Sequence, residues 1–147
     1  MYCREYMSPI GQLLLVSDGI SLTEMVMDTQ MPAQKGECAV LQQAAAWLDD
    51  YFAGIDRKID FPLHPRGTAF QQKVWEALKN VPFGETRTYA DIAREIGCRS
   101  AQAAGQAVGA NPIAIMIPCH RVIGAKGQLT GYAWGIEKKK WLLEHEK

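Results

Sequence analysis

Asn111-Pro112-Ile113-Ala114-Ile115-Met116-Ile117-Pro118-Cys119-His120-Arg121-Val122 decides how this chain is read. Five apolar residues, Ile113 to Ile117, predict a buried strand, and Pro118 predicts a break at its end. A cysteine follows directly, with a histidine beside it. A free thiol titrates near ~8.5, so little of it is thiolate at neutral pH, and burial lowers that fraction further. A buried nucleophilic cysteine therefore needs a base, and histidine is the usual one. Neighbouring side chains on a strand point to opposite faces, so the pair can cooperate only if the chain turns between them. On these residues alone, a buried structural cysteine and a catalytic one are equally open.

Outward from that block, the rest of the C-terminal half predicts helices. Phe70, Val74, Leu78 and Val81 form one apolar stripe, with Thr68 as a candidate N-cap and Pro82 past the end. Phe83-Gly84 predicts a turn. Thr88 and Asp91 have capping-box spacing for a helix from Tyr89 to Ile96, closed by Gly97. Ser100 predicts the cap of a further helix, Ala101 to Ala110. This pair has the layout of a helix-turn-helix. Its second helix is almost bare (Ala101, Ala103, Ala104, Gly105, Ala107, Gly109, Ala110), which suits close approach to a flat partner or close packing in a core. It offers only Gln102 and Gln106 to base edges. Gly124, Gly127 and Gly131 mark a loop or wing, and Ile136 onward predicts a last helix.

The N-terminal half reads differently. Ile10 to Val16 and Leu22 to Met27 predict a hairpin turned at Asp18-Gly19. Met31 to Gly36 predicts a loop. Val40, Leu41, Ala44, Trp47, Leu48, Tyr51 and Phe52 fall at helical spacing, and Gly54 ends that helix. Pro62 to Gly67 predicts a linker, giving domains 1–63 and 64–147.

Charge follows the same division. Residues 1–63 carry four Lys/Arg against nine Asp/Glu, and residues 64–147 carry twelve against seven, although the whole chain is neutral. The basic half is the one suited to a polyanion, unless the two domains merely differ in surface charge. No apolar run approaches the roughly 20 residues of a membrane span. No basic segment followed by an apolar one opens the chain, so no signal peptide is expected. Four scattered cysteines, without a CxxC pair, fit a reducing cytoplasm. Cys3, Cys38 and His64 match no standard zinc spacing, and no metal site is expected.

Taken together, these motifs resemble the O6-alkylguanine-DNA alkyltransferases over nearly the whole chain. Ser8-Pro9-Ile10-Gly11 and Tyr51-Phe52-Ala53-Gly54 are similar to that family's N-terminal domain. Thr68-Ala69-Phe70-Gln71, Val74-Trp75, Pro82-Phe83-Gly84 and Thr88-Tyr89 are similar to the start of its catalytic domain. Asn111-Pro112, Ile117 to Val122 and Gly131-Tyr132 are the most particular match. The resemblance implies an α+β fold: a ribonuclease H-like antiparallel sheet with helix, then a mainly helical domain with a winged helix-turn-helix.

It also implies a single-turnover DNA repair methyltransferase. O6-methylguanine, and as a further substrate O4-methylthymine, would lose its alkyl group to the protein itself. The expected catalytic residues are Cys119 as acceptor, His120 as base acting through a water, Glu146 orienting the histidine, Asn111 bracing the turn, and Tyr89 at the rotated phosphate and guanine N3. Tyr132, Ala133, Val122, Trp134 and Val108 would line the guanine pocket. Ser100, Gln102, Ala103 and Arg121 are the expected DNA contacts, although Arg121 also reads as structural. Gln102 occupies the place where the family carries an intercalating arginine, which predicts weaker DNA binding. Trp134 predicts a preference for small alkyl groups. The expected partner is duplex DNA containing O6-alkylguanine, approached through the minor groove by a monomer without cofactor.

The rival from the same fold is a lesion-binding protein that transfers nothing, and Cys119 with His120 and Glu146 argues against it. A Cys-His hydrolase gives no reason for the helix-turn-helix. A transcription regulator would need a further domain for which this chain has no room.

Overall fold

The computed structural model describes residues 1–29 and 36–147. The predicted loop, apart from Gly36, lies outside the described residues. The chain divides into two compact units, Met1–Arg66 and Gly67–Lys147.

In the first unit, β1 (Tyr2–Ser8), β2 (Gly11–Ser17) and β3 (Leu22–Met27) form an antiparallel sheet in that order. Tyr6 opposes Leu13, Leu14 opposes Val26, and the register shifts between Val16 and Ser17. The hairpin turn is set by Asp18, whose Oδ1 accepts from the amides of Ile20 and Ser21 at 2.9 and 2.8 Å. Helix α1 (Ala39–Phe52) packs against the sheet, and Leu13, Leu15, Leu41 and Leu48 form a fully buried core. The opposite side of β2 is covered too, because Cys3, Leu14 and Val16 make a smaller buried cluster. The hairpin and α1 are as the sequence predicts. β1 is additional. Of its seven side chains only that of Cys3 is buried, so it lacks the apolar alternation that announces a strand. Part of the expected linker also joins this unit: Leu22 N donates to Pro62 O at 2.9 Å, and His64 N donates to Leu22 O at 2.8 Å.

The second unit starts with α2 (Ala69–Leu78), capped by a reciprocal Thr68–Gln71 box. Phe70, predicted on its buried stripe, is instead 37% exposed. Trp75 takes the interior place, and its Nε1 donates to Ala107 O at 2.8 Å. β4 (Arg87–Thr88) leads into α3 (Tyr89–Glu95), again with a capping box, Thr88–Asp91. α4 (Ala101–Gly109) follows, its first turn closed by Ser100 Oγ accepting from Ala103 N at 3.0 Å. α3 and α4 pack on each other and on α2 as a helix-turn-helix. β5 (Val122–Ile123) pairs with β4 in parallel, a ladder too short to show in sequence. α5 (Ile136–His145) ends the unit.

The run Ile113 to Ile117 is not a strand. It is a buried turn in which Ile117 N donates to Ile113 O at 3.0 Å and Ile115 adopts φ 72°. That backbone is strained for a β-branched residue, at roughly 1–3 kcal/mol. Continuous burial made the segment read as a strand, since apolar content alone does not distinguish the two.

Candidate active site

Cys119 opens a single 3-10 turn, Cys119–Arg121, between the buried turn and β5. The turn supplies the bend that a Cys-His pair requires. Asn111 holds the approach from both sides: its Nδ2 donates to Ile117 O at 2.7 Å, and its Oδ1 accepts from Ile113 N at 3.0 Å. These bonds replace the ladder partners that a strand would have had.

Cys119 and His120 are 6% and 0% exposed. His120 Nε2 lies 2.6 Å from Glu146 Oε2. The same carboxylate accepts from Arg121 Nε at 2.8 Å and from Arg121 Nη2 at 3.0 Å. Because Glu146 acts as acceptor towards Arg121, Nε2 is the nitrogen that donates to it and Nδ1 is left as an acceptor. Nδ1 is buried and has no hydrogen-bond partner among the described residues. Burial pushes the His120 pKa down, against the opposing pull of Glu146. Burial likewise pushes the Cys119 thiol up, and hydrogen bonds from Asn111 and Tyr132 together with the charge of Lys139 oppose it.

Arg121, expected at the DNA surface, is buried instead. Its Nη1 donates to Val81 O at 2.7 Å, and its guanidinium stands 5.7 Å from the Phe83 ring centroid. It anchors Glu146 rather than facing outward.

A cavity of about 20 Å³ adjoins Cys119, lined among others by Val108, Asn111, Ala114, Tyr132 and Trp134. That is room for one small group and not for a purine. Next to it runs a groove of about 700 Å³ whose walls include Tyr89, Gln102, Gly105 and Gln106. Gly109, Gly131, Tyr132 and Ala133 line both spaces, so the two adjoin there. Tyr132 and Trp134 meet edge to face at 6.1 Å. The small residues of α4 serve two purposes: Ala104 and Ala107 are buried, whereas Ala101, Gly105 and Gly109 face the groove. A Cβ on Gly105 would stand 3.3 Å from Tyr89 Cδ1. Tyr89 Oη accepts from Thr130 Oγ1 at 3.1 Å.

Of the expected residues, the structure gathers Cys119, Asn111, Tyr132, Ala133, Trp134 and Val108 around the small cavity, with His120 and Glu146 joined to each other. Tyr89 and Gln102 line the groove. Ser100 caps α4 by accepting from Ala103 N, while Val122 is fully buried in β5 and lines neither space. Lys139 was missed. It is 0% exposed within Lys138-Lys139-Lys140, a run that reads as a solvated face. Its burial follows register: Lys139 and Leu142 of α5 and Glu146 at its C-cap recur at helical spacing and are all buried. Among the described residues, no cluster of three or more His, Cys, Asp or Glu side chains could hold a metal, and no helix is long and apolar enough to cross a membrane.

Two family models cover the chain. One described as 6-O-methylguanine DNA methyltransferase, ribonuclease-like domain, matches residues 1–65, and one described as the DNA binding domain of the same protein matches residues 69–147. A methylated-DNA–protein-cysteine methyltransferase of Mycobacterium leprae is 47% identical over 153 residues, spanning 100% of this chain and 93% of its own. A protein of that name from Methanosarcina acetivorans is 44% identical, covering 99% and 98%. Among solved structures, Mycobacterium tuberculosis OGT in complex with DNA superposes with a TM-score of 0.91 at 47% identity, covering 100% of this chain and 93% of that one.

Proposed function

The chain belongs to the 6-O-methylguanine DNA methyltransferase family, and on that premise we propose that it repairs alkylated DNA by moving the methyl group of O6-methylguanine permanently onto Cys119. The observation that carries this reading is the buried Cys119 in a turn braced by Asn111, beside a His120 whose one free nitrogen has no protein partner among the described residues. A water between that nitrogen and the thiol completes the relay and relieves the cost of a buried unpaired acceptor.

The target oxygen is engaged in a base pair, so the nucleotide must leave the stack. We assign the groove beside α4 as the seat of the duplex, met through its minor groove by a single copy of the protein. Small residues there let the backbone approach, and Gln102 fills the gap left by the base. The purine then displaces the Gly131–Ala133 segment to reach the sulfur. Gly135, two residues beyond it, adopts φ 98° just before α5.

His120 takes the thiol proton, aided by Glu146, which Arg121 holds in place. The thiolate attacks the methyl carbon; the C–S bond forms as the C–O6 bond breaks. The electron pair goes to the base, which gains a proton at N1 to match the one lost by Cys119. Tyr89 donates to the departing guanine and lowers the barrier. A thioether is not hydrolysed under mild conditions, so each molecule acts once.

The test is to incubate the protein with a duplex bearing O6-methylguanine and weigh it. One methyl gained on Cys119, and none on Cys119→Ala, is the expected result. Binding of the lesion without any mass gain would leave a lesion-recognition protein and overturn transfer.

A further inference from the structure

We propose that Thr130 is a positioning residue for the transfer reaction: by donating to Tyr89 Oη, its hydroxyl turns the phenol's own proton toward the groove, where the departing guanine accepts the hydrogen bond. The inference rests on the transfer reading above.

A phenol has one proton to donate and an oxygen that can also accept. Tyr89 can serve a purine only if no protein acceptor takes that proton first. Thr130 Oγ1 donates to Tyr89 Oη at 3.1 Å, so the contact engages the oxygen and leaves the proton. Among the described residues no protein acceptor receives it. A hydroxyl that accepts one hydrogen bond is polarised by it and becomes a better donor of its own.

Both partners are held in place. Tyr89 is the first residue of α3, fixed by the Thr88–Asp91 capping box. Its ring rests against α4 at Gly105, where an added Cβ would stand 3.3 Å from Cδ1, and Lys139 Nζ stands 5.8 Å from the ring centroid. Thr130 is tied through its carbonyl, which accepts from Lys139 Nζ at 3.0 Å. The wing turn before it is closed by Gly124 N donating to Gln128 O at 2.9 Å. Threonine is stiff at χ1, so a fixed backbone also fixes the direction of the hydroxyl. A water in its place would have no such preference. Thr130 is exposed, so burial does not explain a threonine there, and Tyr89 is the one protein partner of its hydroxyl among the described residues.

Thr130→Val keeps the branched shape and removes the hydroxyl. At saturating duplex bearing O6-methylguanine, its single-turnover transfer rate is expected to fall about threefold, the worth of one partly solvated hydrogen bond, with duplex affinity unchanged. Thr130→Ser restores most of the loss. In a Tyr89→Phe background the phenol is gone, and Thr130→Val is expected to change nothing further. An equal loss in both backgrounds would mean that the threonine merely fastens the wing to α3. A faster Thr130→Val would mean that the threonine withholds the phenol's proton. Either result, or an unchanged rate, overturns the proposal. The contact itself is read without DNA: the Tyr89 Cζ resonance, assigned through Tyr89→Phe, must move in Thr130→Val and return in Thr130→Ser, and a resonance indifferent to both also overturns it. Absence of methyl transfer by the wild type would sink the functional reading, and this proposal with it; a wild type that transfers while the variants fail to respond sinks the proposal alone.

Discussion

At the residue scale, the Arg121–Glu146 pair orders the site. Both groups are buried, so each depends on the other for solvation lost on folding. Arg121→Met leaves the carboxylate with too few donors, and a loss of about 3–5 kcal/mol in urea unfolding is expected. The two titrating members of the relay set a pH window. The His120 pKa is lowered on folding, so the unfolded chain binds more protons and stability falls as pH drops below the ordinary value of 6.5. The Cys119 pKa is raised, so the folded chain keeps its proton longer and stability falls as pH rises above the value of a free thiol. Urea midpoints are expected to be flat between these values and to decline outside them. Cys119→Ser should shrink the alkaline decline, and an unchanged decline would remove the thiol from this account. Trp134 bounds the cavity at the sulfur, and Trp134→Ala is expected to raise the rate on O6-benzylguanine relative to O6-methylguanine. An unchanged ratio counts against a role for the indole in selectivity. The sequence singled out Cys119 and His120 as an adjacent pair without deciding between a structural and a catalytic cysteine, and it marked Asn111 only through the family resemblance. It hid Lys139, because a lysine between two lysines looks solvated until the face of α5 is known.

At the element scale, caps and registers did most to make the fold readable. Thr68, Thr88 and Ser100 each cap the helix they announce. Ser100→Ala should cost about 1 kcal/mol, read as a lower thermal midpoint, because Ala103 N loses its partner. β1, β4 and β5 escaped notice for physical reasons: β1 buries a single side chain, and the other two are two-residue ladders fixed by tertiary pairing. The same limit explains Ile113 to Ile117, where burial is evident in composition but a left-handed Ile115 is not. On α4, Gln102→Arg should tighten binding to duplex DNA and steepen its salt dependence by about one unit of log–log slope. Titrations at several salt concentrations measure both, and equal slopes would mean that the added guanidinium does not meet a phosphate.

At the scale of the whole molecule, the chain is two units with opposite charge balance, and every residue assigned to chemistry lies in Gly67–Lys147. The void beside the sulfur, about 20 Å³, has a consequence for the protein after use. A methyl group fits it and leaves the interior filled. An ethyl or benzyl adduct acts as a wedge driven into a packed core, and overpacking of that kind costs about 1–3 kcal/mol or more. Spent molecules are therefore expected to differ in lifetime according to the damage they removed, and limited proteolysis of the methylated and benzylated proteins measures it: equal cleavage rates would mean that the cavity yields to the larger group.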